Sequence, residues 1–201
     1  MWELIYEKWL VMMLFNWVYL LIAYGLGCMS TAYYWIQIRY SSDVRAQGSG
    51  NSGARNAGRL YGKSAFFIAF AGDAGKAALA MLVAHVVTGS LTYELLVLLF
   101  VLLGHIYPAQ LQFKGGKGMA SFGGGLFVLD WRIGLMMLGV ALLGLILFRK
   151  FTPAGLIAVA SFPCFIYFIH GQTLLNVLWA FFITLLVLHA HRSNIIAFVR
   201  R

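Results

Sequence analysis

Charge is what this chain lacks most. Only 10% of its 201 residues are Asp, Glu, Lys or Arg, where a soluble domain carries about 25%. A chain that is 62% apolar cannot cover a water-facing surface, so a soluble globular protein is excluded and an integral membrane protein is implied. Acids are scarcest of all: six Asp and Glu stand against 15 Lys and Arg, for a net charge of +9. They form no cluster, which speaks against the carboxylate set that holds Mg²⁺ on a diphosphate; no metal and no cofactor are expected. No nucleophile is paired with a base, so a Ser-His-Asp hydrolase is unsupported. The two cysteines, Cys28 and Cys164, lie inside apolar runs and read as small packing residues, not as a disulfide or metal framework. No loop exceeds about 25 residues, too short for a soluble domain, and residues 1–201 are expected to form one membrane domain. The first run follows Glu3, Glu7 and Lys8 and has no small-x-small cleavage site, so it is expected to be a retained span and not a signal peptide.

What the chain does have is long charge-free runs. Trp9 to Ile38 holds 30 residues without a charge, enough for a tilted span, since about 20 residues cross the hydrocarbon core. Gly25, Gly27 and Ser30 within it are expected to allow close helix approach. Further runs cover Ser64 to Val87 (interrupted by Asp73 and Lys76), Leu95 to Pro108, Met119 to Leu129, Ile133 to Phe148 and Phe151 to His191. The last is long enough for two spans, with a turn expected at His170-Gly171-Gln172-Thr173. Met119 to Leu129 is short for a span. It reads either as a short span sunk among neighbours or as one arm of a re-entrant hairpin.

Twelve of the 15 basic residues fall in residues 39–63, 114–117, 149–150 and 192–201, and four of the six acids fall on the opposite set of ends. Basic loops mark the cytoplasmic side. The expectation is therefore an all-α polytopic membrane protein of seven transmembrane helices, the fourth short, with the N-terminus outside and the C-terminus cytoplasmic. Five spans plus a hairpin of the fourth and fifth runs account for the charges equally well. The basic residues are scattered over several loops and form no nucleic-acid module; the lipid bilayer is the expected partner.

Three polar stretches share the basic side. The first, Gly48–Arg59, interleaves Gly48, Gly50 and Gly53 with Ser49, Asn51, Arg55, Asn56 and Arg59, a composition suited to a phosphate or another dense anion. Its Gly48-x-Gly50-x-x-Gly53 pattern matches a dinucleotide fingerprint but lacks the βαβ unit that fingerprint needs. The second stretch runs from Gly104-His105 through Pro108 to Lys114-Gly115-Gly116-Lys117-Gly118. Its glycines let backbone wrap an anion while Lys117 supplies charge and the next helix offers its N-terminal amides. The third is His191-Arg192-Ser193-Asn194, at the end of the last span. Each alone also reads as a basic topological loop or a helix cap. Asp73 and Lys76, three apart on one helix face, either neutralise each other or reach towards the first loop or the site. His85, His170 and His189 read as packing or interface residues. Together these stretches describe a site that binds anions, orients them and neutralises charge for a reaction whose leaving group is already good. A small anion or phosphate-ester transporter is the competing reading, since basic glycine loops at broken helices also serve transport.

In order and spacing these stretches resemble the bacterial acyl-phosphate:glycerol-3-phosphate acyltransferase family, PlsY. The matching segments are Asp43-Val44-Arg45, the glycine loop 48–54 with Asn56 and Arg59, Asp73-x-x-Lys76, Gly104-His105-x-x-Pro108 through Phe113-x-Gly-Gly-Lys-Gly at 118, and His191-Arg192-x-Asn194. The resemblance covers nearly the whole chain from about Leu20. It implies seven spans in the cytoplasmic (inner) membrane, an active site facing the cytoplasm, and acyl transfer from a fatty acyl phosphate to the 1-hydroxyl of glycerol-3-phosphate, giving lysophosphatidic acid and phosphate. It implies that Ser49, Arg59, Lys117, His191 and Asn194 form the catalytic set and contact the phosphates. Gly48, Gly50, Asn51, Gly53, Asn56, Asp73, Lys76, His105, Gly115, Gly116, Gly118 and Arg192 complete the substrate-binding set, and a soluble acyl-phosphate synthase is a potential docking partner. Four positions depart from the family pattern. Arg55 replaces Thr, Ser193 replaces Glu, Cys28 replaces Ser and Ala77 replaces Gly.

Overall fold

The computed structural model describes residues 2–171 and 173–200. Gln172 and Arg201, both within stretches named above, lie outside the described residues, as do the side chains of Glu3, Lys8 and Trp9. The described residues form ten α-helices: α1 Trp2–Cys28, α2 Thr31–Tyr40, α3 Ala54–Tyr61, α4 Lys63–Thr88, α5 Leu91–Ile106, α6 Met119–Leu129, α7 Trp131–Phe148, α8 Phe151–His170, α9 Leu174–Ala190 and α10 Arg192–Val199. Among the described residues five helices are long and apolar enough to cross a membrane, and six if α9 and α10, bent by 66°, count as one span. Large apolar side chains such as Leu143, Ile146, Leu147 and Phe168 point outward, the inside-out pattern expected where lipid is the solvent.

The first run is not one helix. It breaks at Met29 and Ser30, and the chain turns into the short α2 before the first polar loop. Gly27 does make a close crossing: a Cβ there would lie 2.2 Å from the Val101 carbonyl oxygen, and one on the facing Gly104 would lie 2.0 Å from that of Tyr24. The expectation fails for Gly25, which has open space around it. Ser30 instead donates to the Ser52 carbonyl at 3.4 Å.

α5 is the hub. Leu95, Val97, Leu98, Val101 and Leu102 are fully buried, and α1, α4, α6 and α9 pack around them. Small residues let backbones approach where hydrocarbon offers no hydrophobic drive between helices. Gly124 of α6 sits against the Ala74 carbonyl of α4, 2.2 Å from where a Cβ would stand. Pro163 inside α8 cannot donate to the Val159 carbonyl one turn back; Thr184 of α9 donates to that carbonyl instead, at 3.2 Å. A smaller cluster of Ala32, Ile36, Val44, Ala54, Ala57, Ala65 and Ala69 forms the floor under the first polar loop.

α6 has 11 residues, about 16 Å as a helix. Its start lies beside the first turns of α8, where a Cβ on Gly155 would meet Met119 Cε at 2.7 Å. Its end meets the last residue of α8, with Asp130 Oδ2 3.0 Å from His170 Nε2. The two ends of α6 thus reach α8 near its first turns and at its last residue. The same end carries His85 Nδ1 at 2.9 Å from Glu94 Oε1, and Asp130 paired with Arg132. His85 thus bonds an acid and His170 stands beside one: the helix ends that hold the acids also hold these histidines.

Candidate active site

The first polar loop is organised by one side chain. Asn56, 3% exposed, accepts the Ser49 N–H at 2.9 Å through Oδ1. Its Nδ2 donates to the carbonyls of Val44, Gln47 and Asn51 at 2.9–3.1 Å. Gly48 turns in the left-handed region at φ +64, and a Cβ on it would lie 2.4 Å from Asn56 Oδ1, so both the turn and the contact require glycine. Asn51 Oδ1 accepts the Gly53 N–H at 2.6 Å, and the Gly50 N–H bonds the Gln47 carbonyl at 3.2 Å. The amides of Ser49, Gly50 and Gly53 are therefore engaged within the loop. What the loop turns outward is side chain: Ser49, Arg55 and Arg59 are exposed. Arg55 and Arg59 are one turn apart on the same face of α3.

The second loop folds back on the end of α5. The Gly115 and Gly116 amides donate to the carbonyls of Ile106 and His105 at 3.1 and 2.9 Å, so these amides too are taken. Among the described residues the N–H groups of Lys117 and Gly118 have no hydrogen-bond partner. They open α6, where unpaired amides and the helix dipole favour an anion. Arg45 straps the two loops together. Paired with Asp43 at 2.8 Å, it donates through Nη1 to the carbonyls of Leu111 and Lys114 at 2.9 and 3.3 Å. The Arg45 guanidinium holds the Asp43 carboxyl below the ordinary carboxylate range.

The third stretch arrives at the α9–α10 bend. Lys117 Nζ donates to Asn194 Oδ1, which joins the second and third stretches directly. His191 is buried and its Nδ1 lies 2.9 Å from the Val187 carbonyl. A carbonyl only accepts, so Nδ1 carries the hydrogen and Nε2 is left as an acceptor. Burial lowers the His191 pKa; the Val187 bond opposes this and the Lys117 charge adds to it. The ring is therefore neutral at neutral pH. Burial also lowers the Lys117 pKa, helped by the Arg55 and Arg192 charges.

Two positions gain weight from the structure. Arg55, a departure from the family pattern, donates to Thr152 Oγ1 on α8 at 2.6 Å. Thr152 had no sequence signal of its own. With Asn194, it is one of the two polar residues lining a groove of about 300 Å³ whose other walls include Leu156, Ile157, Leu188, Ile195 and Phe198. The groove's polar residues are thus tied to Arg55 and to Lys117, and the rest of it is hydrocarbon. Among the described residues Arg192 finds no acid; it reaches His189 Nε2 at 3.2 Å. Asp73, Lys76 and His105 come together below the loops, buried and bonded to one another.

A cradle of Lys, Arg, Asn and His at the head of an apolar groove fits an amphiphilic phosphate. The family described as glycerol-3-phosphate acyltransferase matches residues 17–201. The chain belongs to that family. Among its relatives, glycerol-3-phosphate acyltransferase 1 of Bacillus cereus is 40% identical over 177 residues, covering 88% of this chain and 96% of the relative. The same-named protein of Desulfitobacterium hafniense is 41% identical over 173 residues, covering 86% and 85%. The crystal structure of PlsY, an integral membrane glycerol 3-phosphate acyltransferase, in its glycerol 3-phosphate form superposes with a TM-score of 0.84 at 29% identity over 92% of each chain. The lysophosphatidic acid form gives 0.81 at 28% identity over the same share.

Proposed function

We propose that this acyltransferase moves a fatty acyl group from an acyl phosphate to the 1-hydroxyl of sn-glycerol-3-phosphate, giving lysophosphatidic acid and inorganic phosphate. The observation that carries the reading is the Lys117–Asn194 contact at the head of the apolar groove. It sets a phosphate-binding cation beside a channel for an acyl chain. The donor is a mixed anhydride. The hydroxyl oxygen attacks the acyl carbon, the bond from that carbon to the phosphate oxygen breaks, and its electron pair leaves on phosphate. The hydroxyl proton passes to a phosphate oxygen, so the protein supplies no nucleophile. Its part is to hold both phosphates and neutralise the charge that gathers on the leaving oxygen. Lys117, Arg59 and Ser49 bind phosphate oxygens, with the amides of Lys117 and Gly118 behind them. Asn194 fixes Lys117, and His191 Nε2 orients the hydroxyl. With their amides engaged internally, Gly50, Gly53, Gly115 and Gly116 shape the cradle, as do Gly48, Asn51 and Asn56, and do not line it.

The site faces the cytoplasm of a bacterial inner membrane, with the N-terminus outside. The basic loops at this end and the acids at the other support that orientation. Seven spans fit best, because the start of α6 meets the first turns of α8 and the end of α6 meets its last residue. A soluble acyl-phosphate synthase would deliver donor at this same basic face.

The purified chain is expected to make lysophosphatidic acid from acyl phosphate and glycerol-3-phosphate, and none when acyl-CoA or acyl carrier protein replaces the donor. Lys117→Ala is expected to lower kcat/KM by about 10²–10³, the scale of losing one charge-stabilising donor. Wild type that forms no product from acyl phosphate would sink the proposal.

A further inference from the structure

We infer that Lys76, with Asp73 and His105, is a positioning device: one buried ammonium sets both glycine loops in register, so that these three residues act on phosphate binding through the loops without touching substrate. The inference rests on the reaction proposed above. Lys76 Nζ stands 2.9 Å from the Gly27 carbonyl, 2.6 Å from that of Met29, 2.9 Å from Asp73 Oδ1 and 3.0 Å from His105 Nδ1. An ammonium has three hydrogens and no acceptor, so it is fully engaged and none of its donors is left for a ligand. It also follows that His105 Nδ1 accepts and that the ring proton sits on Nε2.

The four partners lead in two directions. Gly27 and Met29 lie at the break between α1 and α2. Asp73 Oδ1 also accepts the Thr31 N–H and hydroxyl, at 3.3 and 3.2 Å, and so caps α2 from the side of α4. α2 runs directly into the first loop. In the other direction, the His105 carbonyl accepts the Gly116 N–H at 2.9 Å. The His105 ring lies so close beneath that backbone that a Cβ on Gly116 would stand 2.0 Å from Nε2. Lys117 is the next residue. The break that aims the first loop and the backbone that carries Lys117 are thus anchored on the same nitrogen.

A purely stabilising role fits poorly. The Lys76 and Asp73 side chains are 8% and 1% exposed, and a buried ion pair forfeits hydration that well-packed apolar side chains would not. Asp73 Oδ2 is buried with no hydrogen-bond partner among the described residues. What the polar cluster supplies, and an apolar one would not, is directional bonds to the backbone of the α1–α2 break, at the Gly27 and Met29 carbonyls and the Thr31 N–H.

The test is a compensation experiment on the full-length chain, with glycerol-3-phosphate varied at saturating acyl phosphate. Gly116→Ala is expected to raise the KM for glycerol-3-phosphate about tenfold or more with kcat changed less than about threefold, the pattern of lost binding. His105→Ala raises it less. Gly116→Ala with His105→Ala is expected to return to within about threefold of His105→Ala alone, because the side chain that the new methyl strikes is gone. Lys76→Met raises the same KM. Multiplying effects in the double variant, or reduced yield of folded protein with KM unchanged, would overturn the inference. Should wild type prove inactive with acyl phosphate, the proposed reaction fails; the shift in unfolding temperature caused by glycerol-3-phosphate then ranks the same variants. Equal shifts in all of them overturn the inference, and a shift lost in Gly116→Ala and regained in the double variant upholds it.

Discussion

Burial, Arg55 and Arg192 all press on the Lys117 ammonium to give up its proton below the ordinary lysine range, yet the phosphate-binding task proposed for it requires the charge. Activity is therefore expected to hold while Lys117 is protonated and to fall as pH rises through its lowered pKa. Removing a neighbouring cation relieves that pressure. Arg192→Gln is expected to move the alkaline limb of the pH profile of kcat/KM upward. An unmoved limb would count against Lys117 as the titrating group. The acidic limb is a poorer probe, because a phosphate monoester itself titrates near pH ~6. Asn56 shows what was and was not legible at this scale. Its place in the loop was plain from sequence, but its amide serves the loop at both ends and leaves nothing for a ligand. Composition reports donors and acceptors; only the folded path tells which are already taken. Asn56→Asp should be as damaging as Asn56→Ala, since a carboxylate cannot donate to the Val44, Gln47 and Asn51 carbonyls. Leaving buried polar groups unpaired costs about 1–3 kcal/mol each. Limited proteolysis is expected to cut residues 44–53 in both variants and to spare wild type.

At the scale of helices, the apolar runs were legible because a bilayer demands them, and their ends were legible from charges and glycines. The break at Met29–Ser30 was not. It lies within a charge-free run, and the groups that stabilise it, Lys76 and Asp73, come from another helix. The partners of His85 and His170 were hidden for the same reason: helix ends distant in sequence meet only when the bundle closes. Arg55 departs from the family pattern, and its bond to Thr152 spans 97 positions. Close crossings are the other tertiary product. On α6, Gly124 faces the Ala74 carbonyl and Gly123 faces open space, a difference no pattern in the sequence records. Gly124→Ala is expected to push α6 from α4 and to destabilise the bundle by about 1–3 kcal/mol, the range for overpacking, whereas Gly123→Ala should be tolerated. Thermal unfolding in detergent compares the two directly, and equal loss in both would show that the α4–α6 contact is not tight.

For the molecule as a whole, the charge partition fits seven spans and also five spans with a hairpin, because both put Lys117 and Arg149 on one side. The two differ in where the α6–α7 junction lies. In a re-entrant hairpin Trp131 would stop short of the far surface. With seven spans it would emerge there, beside the end of α8. Asp130 lies 3.0 Å from His170 at that end, which favours emergence. Thiol labelling decides it. Cys28 is buried and Cys164 is exposed on the apolar α8, so Cys164→Ala provides a quiet background. Trp131→Cys and Ser90→Cys are expected to react with an impermeant maleimide added outside intact cells. Gln47→Cys and Ser193→Cys, beside the site, are expected to react only after the membrane is opened. Outside labelling at Ser90 but not at Trp131 would restore the hairpin, and outside labelling at Gln47 would invert the protein and place its phosphate site on the wrong side for a cytoplasmic substrate.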